Sequence, residues 1–69
     1  MNTNELKRNL EYLVNKYVDE VHEKSGLLQQ IHCDGYPPVK GIMAALTEPG
    51  KKIDPGDSDL IKDIAFQFM

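Results

Sequence analysis

Residues 4–24, NELKRNLEYLVNKYVDEVHEK, decide the fold. Leu6, Leu10, Leu13, Val14, Tyr17, Val18 and Val21 recur at spacings of three and four. At the helical rotation per residue they share an arc of roughly 140°, the apolar face of an amphipathic helix. Glu5, Arg8, Glu11, Asn15, Lys16, Asp19, His22 and Glu23 fall outside that arc. Thr3 or Asn4 can cap the start, because each carries a side-chain oxygen for a free amide of the first turn. Lys24 falls at the centre of the stripe, and Gly26 just beyond it suits a left-handed C-cap with Leu27 folding back toward Val21. The sequence therefore predicts one long helix over about 4–24, some 30 Å from end to end.

Downstream, Leu27, Leu28 and Ile31 fit two helical turns, while Leu27, Gln29, Ile31 and Cys33 fit one face of a strand. Asp34-Gly35 is a hairpin-type turn signal. A partner strand would begin Tyr36-Pro37-Pro38, however, and proline has no amide hydrogen for a ladder. A short helix leaving through Asp34-Gly35 is the better reading. Pro37 and Pro38 suit the entry to another helix. There Val39, Ile42, Met43 and Leu46 form the stripe, and Ala44 and Ala45 favour the helical state. Gly41 weakens this helix or admits a close backbone approach. Pro49-Gly50 ends it, Ile53 anchors the following loop, and a last helix starts near Asp57 or Ser58. On that helix Leu60, Ile61, Ile64, Ala65 and Phe68 share a face; Phe66 projects opposite, with Met69 beside it. The expected fold is all-α: a small bundle of three to four helices with a long N-terminal helix, one domain over residues 1–69.

Composition narrows the function. The chain has 69 residues, a net charge of −3 and a single cysteine, so no intramolecular disulfide can staple a core this small. Acidity disfavours a nucleic-acid partner, whose phosphates call for clustered Lys and Arg. No apolar run approaches the length of a secretory signal or a membrane span. With the lone Cys33, this favours a cytoplasmic protein without a membrane partner.

Four constellations can be tested for chemistry. His22, His32, Cys33 and Asp34 are metal-type ligands, but they lack the paired spacing by which one turn presents two ligands at once. Cys33 as a nucleophile would need a base within hydrogen-bond reach, which only a tertiary contact from His22 could supply. A buried, inert cysteine is the simpler reading. Asp54, Asp57 and Asp59 resemble a calcium loop only superficially. Counting from Asp57 puts Ile61 at position 5 and Phe68 at position 12; counting from Asp54 puts Asp59 where glycine belongs and Ala65 at position 12. Turn and helix-cap roles account for all three. A helix-turn-helix would need a connector of 3–4 residues, against roughly eleven between the last two expected helices. Its recognition helix would also open with Asp57 and Asp59, facing phosphate. No catalytic residue, cofactor or metal site is expected.

What remains is surplus apolar surface. Tyr12 lies well away from the first stripe, and Phe66 and Met69 lie off the last one. Aromatic and methionine side chains are enriched where proteins meet. Tyr12, Phe66 and Met69 are therefore the candidate protein-interaction residues. The expected function is that of a small non-catalytic interaction protein, a regulator, inhibitor or adaptor with a larger protein partner. Self-association, as a dimer, is also expected, because the core is small and unstapled. The alternative is a small oligomeric transcription regulator that gathers weak DNA contacts around Lys51 and Lys52.

Overall fold

The computed structural model describes every residue except Met1, Asp34, Tyr36 and Met69. Four helices follow one another: α1 (Thr3–Tyr17), α2 (Val21–His32), α3 (Val39–Leu46) and α4 (Pro55–Phe68). No strand occurs among the described residues, so the chain is the small helical bundle its periodicities predict. Its radius of gyration of 11.1 Å equals the ~11 Å of a compact globule of this length.

The expected first helix is divided. The Asn2 side chain, rather than Thr3 or Asn4, caps α1 by accepting from the Glu5 amide at 2.9 Å. The helix ends at Val18, whose backbone turns extended (φ −97°, ψ 110°) while its amide still donates to the Val14 carbonyl. Glu20 then caps α2, its carboxylate accepting from the amides of His22 (3.0 Å) and Glu23 (2.6 Å). Tertiary packing explains the break. A straight helix would leave the stripe without a cover, whereas a reversal lays Ile31, Leu27 and Leu28 against Leu6, Leu10, Leu13 and Val14.

The reversal has three local consequences. Val21 leaves the stripe and is 72 % exposed. Gly26 sits inside α2 rather than in a C-cap. Residues 27–32 are helical, as favoured, but as the second half of α2. The Cys33 backbone turns extended after them and its side chain is exposed, not buried as expected. Of the Asp34-Gly35 exit, Asp34 lies outside the described residues; Gly35 has φ +99°, a value glycine adopts without steric cost.

The second half of the chain follows its punctuation closely. The Thr47 amide and hydroxyl both donate to the Met43 carbonyl, at 3.0 and 2.8 Å, and close α3. Glu48 to Lys51 then make a turn in which the Lys51 amide donates to the Glu48 carbonyl at 3.2 Å, with Gly50 at φ +92°. Pro in the second place and a positive-φ Gly in the third are the residues of a type II turn. Helix α4 begins at Pro55, two residues before its expected start. Pro55 suits this place, since its fixed φ is helical and its missing amide hydrogen would have had no partner inside the helix. Asp57 thus sits in the first turn rather than at the cap.

The core consists of Leu6, Leu10, Leu13, Val14 and Val18 of the first segment, Ile31 of α2, Val39, Ile42, Met43 and Leu46 of α3, and Ile61 and Ile64 of α4. Ile53 packs against it from the connector, as anticipated. Helix α1 lies at its centre, in contact with α2 and α3, and α3 carries α4.

Candidate functional site

The densest polar constellation joins the C-terminal half of α1 to the start of α4, and Asp57 is its hub. The Asp57 carboxylate accepts from the Tyr12 hydroxyl (2.9 Å), from the Tyr17 hydroxyl and from the Lys16 ammonium (2.8 Å). Lys16 also pairs with Asp54 at 3.0 Å. It lies over both tyrosine rings, 5.5 Å and 5.4 Å from their centroids, within cation–π range. Tyr12 and Lys16 stand one turn apart and so share a face of α1, and Tyr17 is the next residue in the chain. Tyr17 does three things. Its hydroxyl donates to Asp57 and accepts from the Asp54 amide at 3.2 Å, and its carbonyl accepts from Lys51 Nζ at 3.0 Å. That last contact places a cation at the negative end of α1, where the exposed carbonyls favour it.

Electrostatics follow the geometry. The Lys16 ammonium, and after it the Tyr17 hydroxyl, holds the Asp57 carboxyl below its usual 3.8. Hydrogen bonds to Asp57, then Asp54, then Tyr12 push Lys16 well above its usual 10.5. Tyr17 is raised above 10.0, by loss of solvent first and by its bond to Asp57 second. All three shifts favour the charge states of a closed ion pair with a neutral phenol. Such a group of fixed partners clamps two helices together.

Beside this clamp lies an open cleft of about 410 Å³ lined by Lys16, Tyr17, Asp19, Gly50, Lys51 and Lys52. Two of its three ammonium groups are already engaged, Lys16 by aspartates and Lys51 by the Tyr17 carbonyl. No histidine, cysteine or serine lines it.

The sequence candidates fall in different places. Tyr12 is half-exposed (45 %), but its hydroxyl belongs to the clamp. Phe66, on the outward face of α4, is 90 % exposed. Met69 lies outside the described residues. Val21, which the helical stripe assigned to the core, joins Phe66 as an exposed large apolar side chain. Among the described residues no group of three or more His, Cys, Asp and Glu side chains is arranged to hold a metal ion, and Asp34 is not among them. His32 Nε2 lies 3.4 Å from Glu11 Oε2 on the surface, and the Cys33 carbonyl accepts from Lys7 Nζ at 3.0 Å. The connector between α3 and α4 spans residues 47–54, shorter than expected but still about twice a helix-turn-helix turn.

Sequence reasoning missed Asp57, Lys16 and Tyr17 as a unit. The only local signal was Tyr12 and Lys16 at helical spacing on a face otherwise polar. No protein-family model, curated protein or solved structure matches the chain significantly. No described helix is long and apolar enough to cross a membrane.

Proposed function

We propose that this chain is a small non-catalytic interaction protein, a regulator, inhibitor or adaptor, that binds a larger protein through the outward face of α4 centred on Phe66. One observation carries the reading. Helix α4 turns Ile61 and Ile64 into the core and packs Leu60 and Phe68 against it, yet leaves the Phe66 ring 90 % exposed. A buried phenylalanine gains ~1.5–3 kcal/mol over an exposed one, and the fold does not collect it. Asp63, one turn earlier and also exposed, places a carboxylate beside the ring. The fitting partner offers an apolar pocket for an aromatic ring with a basic rim, the usual anatomy of a small interface.

The polar clamp supports the reading by being internally satisfied, its carboxylate, ammonium and phenol groups being one another's partners. The DNA-binding alternative has no favouring observation, since Lys51 of its Lys51-Lys52 doublet is engaged by Tyr17. The test compares wild-type and Phe66→Ser baits in native extract. Proteins captured by the wild type and lost by Phe66→Ser are then purified and titrated directly. Loss of at least tenfold in affinity with unchanged melting supports the reading. Equal capture by both baits overturns it.

A further inference from the structure

We infer that residues 18–20 are a hinge that can straighten, merging α1 and α2 into one helix and exchanging α1 between two copies of the chain. The occupant of the vacated surface is thus a second copy of this protein, and the inference stands whether or not Phe66 docks on another protein.

The break has no covalent cause. Its residues are Val18, Asp19 and Glu20, with neither glycine nor proline, the two residues that most disfavour a helix interior. The apolar stripe also continues through it. On a straight helix, Leu28 and Ile31 fall within the same arc as Leu6, Leu10, Leu13, Val14, Tyr17 and Val21. One helix from Thr3 to His32 would be about 45 Å long, with one apolar face interrupted by Lys24. Bent, that face closes on itself within one chain. Straight, the α1 half of each copy can meet the α2 half of the other and remake the same contacts.

The register locates the new contact. Lys7 lies against Cys33, and Glu11 against His32, so the antiparallel pairing is centred near positions 20–22. In the exchanged pair the two Val21 side chains therefore meet at the two-fold axis. Val21 is the stripe residue that the closed chain leaves 72 % exposed. The exchange buries the one part of the stripe that the monomer cannot. Exchange of a terminal element costs little in contacts, because those broken within a chain are re-formed between chains. The closed form is held by the Glu20 cap on His22 and Glu23 and by the high effective concentration of α1 beside its own α2, of millimolar order for short links. Exchange consequently belongs to high protein concentration.

Three substitutions and one distance test this. Glu20→Ala removes the cap from the closed form only, favouring exchange about fivefold per chain and about twenty-five-fold per dimer. Glu20→Pro suits the native φ of −72° but breaks a straight helix, and should stay monomeric. Val21→Ser should weaken the dimer about tenfold or more while leaving monomer melting unchanged.

Light scattering at millimolar concentration gives the mass, against 7.8 kDa for one chain. Spin labels on Cys33 and on Lys7→Cys, in Glu20→Ala chains diluted with unlabelled protein, give the distance within one chain. They should lie about 39 Å apart in the dimer, for 26 helical residues, and in close contact in the monomer. A dimer with the long distance establishes the exchange. Monomers alone for both wild type and Glu20→Ala, a dimer that keeps the short distance, or a Glu20→Pro variant that dimerises like the wild type overturns it.

Discussion

Replacing Gly26 with alanine should stabilise this protein by about 0.8–1 kcal/mol. Gly26 lies in the interior of α2, with a negative φ, and a Cβ built there meets nothing within 4 Å. Two terms favour alanine: it loses less backbone freedom on folding, and it covers helix backbone that glycine leaves open to water. No packing term opposes them, since the added methyl enters open space. A 69-residue domain is stable by only about 3–10 kcal/mol, so the gain is a sizeable fraction and corresponds to a rise in Tm of roughly 4–8 °C. Urea unfolding followed by far-ultraviolet circular dichroism would show a higher midpoint at unchanged slope.

The opposite sign follows if Gly26 closes a helix in the left-handed region, as the sequence alone suggests. There alanine would lose ~1–2 kcal/mol. A lowered midpoint would thus refute both the continuous α2 and the position of the break at residues 18–20.

Gly41→Ala in α3, where the space is also open, should raise stability by a similar ~0.5–1 kcal/mol, measured in the same way. Leu10→Ala removes a fully buried side chain from the centre of the core at a cost of about 2–5 kcal/mol. That approaches the whole stability, so the amide spectrum should lose its dispersion at 37 °C. The clamp predicts a pH window. Because the folded-state pKa of Asp57 is depressed, its contribution is present above about 3.8 and is lost as pH falls through its lower folded value. Lys16 and Tyr17 are raised, so theirs is present below about 10 and is lost as pH rises through the folded values. Melting temperatures of Asp57→Asn should lie below wild type across the neutral range and converge with it in acid; parallel curves down to pH 2 would contradict the clamp.

Much of the bundle is legible in the sequence because local chemistry specifies it. Leu6 to Val18 announce α1 by period, Pro49-Gly50 and Pro55 punctuate α3 and α4, and Ile53 stands out as an anchor. What escaped is tertiary in origin. Nothing within residues 18–20 predicts a break, because its cause is the return of Leu28 and Ile31 onto α1. Asp57 reads equally well as a helix-start acid or as a partner for Tyr12, which lies 45 residues away. Tyr12 therefore looked spare where it is engaged. Phe66 was legible because its exposure follows from the helical period of α4 alone.

Tyr17 ends α1 and, through three bonds, grips Lys51, Asp54 and Asp57. These contacts span 34–40 residues of chain, whereas α1 meets α2 across a reversal of three. Closing long loops costs more entropy before it is rewarded, which favours the α1–α2 reversal over the Tyr17 contacts as the earlier to close. The α4 surface carrying Phe66 packs on α3 and, through Tyr17, is tied to α1 as well. One phenol at a helix end is thus the latch between the first helix of the chain and the last.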